Sequence, residues 1–413
     1  MSVDAAAASS HPALPGAAAL LERAIADGLY PGAQLYVSRE RSAVAELALG
    51  EARPGVPMTP DTLLLWLSSG KPVTAVAIAQ LWERGRLELD DRIARHVPEY
   101  GVGGKERITL RHALTHTGGF RSLQVGWPEA EWEETIARIC AMRREPRWEP
   151  GEKAGYHTSS SWFVLGEVVR RVGGRPFPDF VREEVFLPLG MDDCWIGMPV
   201  ERWRGYLAAD RLAAYWDTEV VPNAPHPWDE ELHVARPSPG GNGWGPMRQL
   251  ARLYECLLAL GELGPLSDAK EGAKEDAGPA RRILLPQTVE ALVARHRTGM
   301  LDHTFRQPMD WGLGVIPNSR PGLIETREAL CGVEGGGKSS GAPPDLLPYH
   351  YGPHASRRAY GHSGFRSSTA FADPTHGLVV ALGVTGTAGE EAHRRHFDSV
   401  LAAIYQDLGL AGG

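Results

Sequence analysis

The sequence predicts an α+β fold: one mixed antiparallel sheet built from both ends of the chain, flanked by helices, with a helical lobe inserted between. Three observations predict it. Strand-like alternation occurs early, in GAQLYVSRERSAVAELALGEA (32–52), and returns only late, in YGHSGFRSSTAFADPTHGLVVALGVTG (360–386). The long middle is helical in pattern, with loops rich in Pro, Gly and Trp. An amphipathic run, EEAHRRHFDSVLAAIYQDL, closes the chain.

Taken in order, residues 1–14 read as a disordered Ala/Ser tail, and a helix follows over about 16–28. The first alternating segment turns at a polar centre, which is a hairpin. The run KPVTAVAIAQLWERG is apolar on nearly every side, so it forms a buried helix that stops near Gly85. SSSWFVLGEVVRRVGG and MRQLARLYECLLALG are amphipathic helices, each with glycine at its end. The segment 265–281, PLSDAKEGAKEDAGPAR, is a polar surface insertion. One domain is thus expected over 15–411, its α/β lobe from about 15–80 and 285–411 and its helical lobe from about 81–284, with a cleft between.

The chain has 413 residues, 43% of them hydrophobic and 23% charged, enough for a large core. A net charge of −8 offers nucleic acid and anionic membranes no attraction. The N-terminus lacks a basic n-region and an unbroken apolar core, and no run reaches the roughly 20 apolar residues of a membrane span, so a cytoplasmic protein is expected. Cys140, Cys194, Cys256 and Cys331 are far apart without CxxC spacing, as in free thiols of a reducing compartment.

Chemistry concentrates in three places. Ser68 and Lys71 stand three residues apart, where helical spacing aims the amine back at the hydroxyl. Burial favours the neutral amine, and a neutral amine can activate a serine. The bland alternative is an N-cap serine beside a lysine that snorkels to solvent. Tyr156, in PGEKAGYHTSSSW, precedes a helix in a glycine-rich approach that can aim its ring into a cleft as a general base. Gly361 and Gly364 flank His362 and Ser363 at a strand start, where bare backbone can approach a ligand.

Two other patterns carry no function. Gly332–Ser340 spells a phosphate-loop motif, but the GAPPDLLP that follows forbids the required helix. His112 and His116 have metal-pair spacing without an acidic partner or third ligand, and read as helix and turn packing. No metal or organic cofactor is expected.

The ordered set SSGKPVTAVAIAQLWERG, LRHALTHTGGF, WEPGEKAGYHTSSSWFVLGEVV, PSPGGNGWGPMRQLARL, WGLGV and GHSGF resembles the serine β-lactamase-like hydrolases, the group of class C β-lactamases, D-amino-acid peptidases and family VIII esterases. The resemblance covers most of the chain and implies that group's penicillin-binding-protein-like fold. The family's Ser-x-x-Lys falls on Ser68 and Lys71, its Tyr-x-Asn on Tyr156-His157-Thr158, and its Lys-Thr-Gly on His362-Ser363-Gly364. It implies an oxyanion hole from the backbone N–H groups of Ser68 and Phe365. The departures are Thr158 for asparagine and His362 for lysine. A largely neutral imidazole holds a carboxylate poorly, and threonine lacks the amide that grips an acylamino chain. The expectation is therefore a carboxylesterase acting on a small or hydrophobic ester through an acyl-enzyme on Ser68, with Lys71 and Tyr156 moving the proton and His362 polarising the cleft or orienting Tyr156. The alternatives are an acyltransferase or transesterase, an amidase, D-aminopeptidase or weak β-lactamase, and a silent binding homologue. Trp127, Trp148, Trp162, Trp216, Trp228 and Trp244 are mostly core, with one or two expected to face substrate.

Overall fold

The computed structural model describes residues 11–119, 125–264, 281–319 and 351–411. The phosphate-loop look-alike, Cys331, most of the 265–281 insertion and most of the loop 316–358 lie outside the described residues.

Seven strands form the main sheet, in the order Ile316–Pro317, Tyr360–Gly364, Ser368–Asp373, Leu378–Val384, Gly32–Arg39, Ser42–Arg53, Val56–Pro57. Every pairing in it is antiparallel. The two ends of the chain meet at its centre, where Ala33 pairs with Val384 and Arg39 with Leu378. Tight hairpins supply most neighbours, and a parallel pair would need a crossover that these short turns do not provide.

Strand alternation sets the two faces. Ala33, Leu35, Val37, Val380, Leu382 and Val384 pack in one cluster with the terminal helices Pro15–Ala26 and Glu390–Asp407. Val379 and Ala381 point the other way into the larger core. On that face Tyr36 and Ser38 both donate to Glu255 of the helix Met247–Leu258, at 3.0 and 2.6 Å.

The tail reading is corrected at Leu14, which is fully buried against the sheet. The helix that follows lacks a capping side chain of its own. Asp407, from the closing helix, instead accepts from Gly16 N at 3.2 Å and Ala17 N at 3.0 Å. Asp407→Ala is expected to lower stability by about 1 kcal/mol while leaving kcat unchanged, read as a drop in denaturant midpoint.

The helix Lys71–Glu83 runs through the larger core, and Lys71 through Leu81 are all buried. Pro72 suits its first turn, where no N–H partner is lost. The helix ends at Glu83, and Gly85 just beyond it has a φ of +65°, which a residue with a Cβ adopts at a cost. Thr74, its polar interior residue, donates to Pro239 O at 2.7 Å. No helix among the described residues is long and apolar enough to cross a membrane.

Candidate active site

Ser68 lies on a short 3₁₀ turn, Leu67–Gly70, which runs directly into the Lys71–Glu83 helix. In a 3₁₀ turn residues i and i+3 eclipse, so Lys71 stands over Ser68 more directly than in an α-helix. Ser68 is half-buried, and no side-chain cap is present at this helix start, which disposes of the N-cap reading. Leu67, just before it, has φ +49°. A branched apolar residue is rarely held there, at a cost of about 1–3 kcal/mol.

Neighbouring bonds hold that turn. Trp66 N donates to Gly243 O at 2.7 Å and its indole to Gly245 O at 2.9 Å. Ser368 Oγ donates to Trp66 O at 2.7 Å, and Ser69 Oγ to His362 O at 3.2 Å. The turn is thereby stapled to the strands Tyr360–Gly364 and Ser368–Asp373. At their junction a Cβ on Gly364 would lie 2.4 Å from Trp66 O and 2.3 Å from Ser368 Oγ. Only glycine permits this approach, which brings the backbone leading into Phe365 up to the serine turn. The Phe365 side chain itself is exposed.

Lys71 has no exposed surface. Its Nζ lies 2.8 Å from Ser68 Oγ and 3.1 Å from Thr158 O, and also donates to Gly240 O. The rings of Tyr156 and Trp162 flank it, with centroids 5.2 and 5.4 Å away. Burial holds its pKa well below the usual lysine value. In the neutral form, two N–H groups satisfy the two carbonyls and the lone pair is left for the Ser68 proton. Tyr156 Oη lies 2.8 Å from Ser68 Oγ as well. One hydroxyl therefore has an amine and a phenol at equal distance.

The remaining predicted residues take more modest places. Thr158 is exposed and contributes its backbone carbonyl to Lys71. Ser363 Oγ bonds Thr369 Oγ1 at 2.9 Å across the sheet. His362 is fully buried, its ring 6.2 Å from that of Tyr156 and its Nδ1 2.9 Å from Ser363 O. Burial, then the nearby Lys71, lowers its pKa to about 3, so it is a neutral packing partner of Tyr156. Trp148, Trp162 and Trp244 are all buried core, and Trp162 borders the amine.

Several residues at the site were given no role in it from the sequence. Trp311 lies 5.9 Å from Tyr156, nearly stacked, and Phe305 packs at 5.0 Å. Gly240 supplies a carbonyl to Lys71. His116 accepts the His157 N–H on Nδ1 at 2.9 Å, and Asp302 Oδ1 accepts that of Tyr156 at 3.1 Å. The stretches LTHTGG and PSPGGNG were visible as motif segments, but neither names a partner. Trp311 opens the WGLGV segment, which likewise names no partner, while Phe305 and Asp302 carry no local signal, because their meaning depends on a fold that returns them to Tyr156.

A serine hydroxyl within 2.8 Å of a desolvated amine and of a phenol, beside a glycine-opened strand, is the arrangement a serine hydrolase of the Ser-x-x-Lys type requires. The chain belongs to the β-lactamase family, whose model (Beta-lactamase) matches residues 17–404. It is 27% identical over 399 residues to Esterase EstB of Burkholderia gladioli, covering 90% of each chain. It is 25% identical over 325 residues to Esterase/beta-lactamase LipL of Mycobacterium tuberculosis, covering 71% of each. The solved structure of a penicillin-binding protein homologue from Caulobacter crescentus superposes with a TM-score of 0.71 at 26% identity, covering 96% of this chain and 98% of that one.

Proposed function

We propose that this protein is a carboxylesterase that turns over small or hydrophobic neutral esters through an acyl-enzyme on Ser68. The observation that carries the reading is the pair of 2.8 Å contacts to Ser68 Oγ, from Lys71 Nζ and from Tyr156 Oη. Ser68 passes its proton to the neutral Lys71 as Oγ forms a bond to the ester carbonyl carbon. The backbone N–H groups of Ser68 and Phe365 hold the resulting oxyanion. The tetrahedral adduct collapses by breaking the bond to the alcohol, which leaves with a proton relayed from Lys71 through Tyr156. Water then attacks the acyl-serine by the same path in reverse, giving acid and free Ser68.

Preference for an ester over a β-lactam follows from charge. Where the family's lysine would meet the antibiotic's carboxylate, this chain has the buried, uncharged His362. Thr158 likewise offers no amide to an acylamino group. The name of Esterase EstB supports the same choice, whereas LipL is named both an esterase and a β-lactamase.

The test is a panel of p-nitrophenyl esters, small amides and nitrocefin, with intact-mass detection of the acyl-enzyme. Short-chain esters are expected to turn over fast and leave a transient acyl adduct, with nitrocefin slow or inert. Fast nitrocefin cleavage overturns the charge argument. Addition of a competing alcohol should still leave mainly free acid; mainly transesterified product would make the enzyme an acyltransferase.

A further inference from the structure

Tyr156 sits on a loop, not on a helix or strand, yet its phenol must reach Ser68 to within a few tenths of an ångström. Three consecutive residues of that loop are gripped through their backbones by three side chains from separate parts of the chain. Asp302 Oδ1 accepts from Tyr156 N at 3.1 Å, His116 Nδ1 accepts from His157 N at 2.9 Å, and Lys71 donates to Thr158 O at 3.1 Å. Lys71 belongs to the reaction itself. The other two are buried groups that the mechanism above does not use.

Both are built as fixed acceptors. His116 is fully buried and itself held at φ +58°, on the turn after the short helix Leu110–Leu114. Its carbonyl accepts from Gly155 N at 3.0 Å, a second bond to the same loop. Its ring lies 4.8 Å from Tyr156 and 4.4 Å from Trp311, so it cannot swing away. Burial, followed by the nearby His157, Arg297, Lys71 and His362, keeps its pKa well below the usual histidine value, which leaves Nδ1 free to accept. Asp302 is fully buried and uses both oxygens. Oδ1 accepts from Tyr156, Thr304 and Phe305 N, while Oδ2 is 2.9 Å from Arg297 Nη2. Arg297 is anchored in turn to Thr115 O at 3.0 Å and Met309 O at 3.3 Å. Thr115 adjoins His116, so the two clamps share one support.

We propose that His116 and Asp302, the latter set by Arg297, are positioning residues that hold the Tyr156 phenol on Ser68 through the backbone N–H groups of His157 and Tyr156. They touch no reacting atom. Misplacement of the phenol by about an ångström costs up to about 100-fold in rate with substrate binding little changed. The inference rests on the proposed role of Tyr156 as proton relay.

The experiment compares His116→Phe, His116→Asn and Asp302→Asn in the full-length protein with p-nitrophenyl acetate, with Ser68→Ala measured alongside. Phenylalanine keeps the ring packing but has no acceptor. Asparagine keeps an acceptor near the Nδ1 position and tolerates positive φ. Asp302→Asn cannot accept from the loop and from Arg297 at once, because its amide has a single oxygen. His116→Phe and Asp302→Asn are expected to lower kcat by about 10- to 100-fold with KM within about threefold, and His116→Asn to recover most of the loss. Wild-type kcat in His116→Phe, a loss confined to KM, or His116→Asn no better than His116→Phe overturns the proposal. If circular dichroism shows His116→Phe unfolded, Asp302→Asn decides, and a normal kcat there overturns it equally. An active Ser68→Ala enzyme would instead indict the serine-hydrolase reading, which separates the two failures.

Discussion

Ser68→Ala is expected to abolish p-nitrophenyl acetate turnover, a loss of about 10⁴-fold or more, as for removal of a nucleophile elsewhere. The variant should also stay unlabelled by a fluorophosphonate that adds one phosphonyl mass to the wild type. Ser68 makes no helix cap, and its turn is held through Trp66 and Ser69. The fold should therefore survive, and the lost activity is chemical. What remains after the change is the oxyanion site and the binding surface, which cannot form a covalent intermediate. Near-normal turnover in Ser68→Ala would remove the serine from the reaction.

The second large effect is expected at Lys71. Lys71→Ala should lower kcat at least ~100-fold, because the group that takes the Ser68 proton is gone. Its pH signature has a definite sign. The neutral amine is the active form, so kcat/KM should rise with pH through the Lys71 pKa and level off above it. Burial lowers that pKa well below 10.5, which carries the rising limb toward the working range instead of leaving the enzyme idle at neutral pH. Lys71→Ala should remove this limb, since a base that is absent cannot titrate. A rising limb that persists unchanged in the variant would assign the proton transfer to another group. Buried His362, with its pKa down near 3, does not contribute charge above that pH.

Much of the site was legible because its parts are local. Ser68 and Lys71 are three residues apart in one turn, and an apolar run behind them announces the dry environment that lowers the amine's pKa. The glycines around His362 similarly announce a close backbone approach, and Gly364 has it, against Trp66 O. Other parts were invisible for a physical reason. Arg297 and Asp302 lie in RHRTGMLDHTF, a stretch with no chemical motif, yet both are buried and paired. His116 looked like packing because the N–H it accepts lies 41 residues away. Likewise Asp407 caps a helix 390 residues earlier, which no local pattern can announce.

By itself, the sequence determined the α+β class, the hairpin, the buried helix and the serine–lysine pair, because periodicity and i,i+3 spacing act within a few residues. Only the tertiary structure decided that Tyr156 and Lys71 meet one hydroxyl at equal distance, and that Leu67 is held in a left-handed turn. The tertiary structure alone also turned two unremarkable side chains, His116 and Asp302, toward the loop that carries the phenol. Those outcomes depend on desolvation and on bonds between distant segments, which exist only once the core has closed around them.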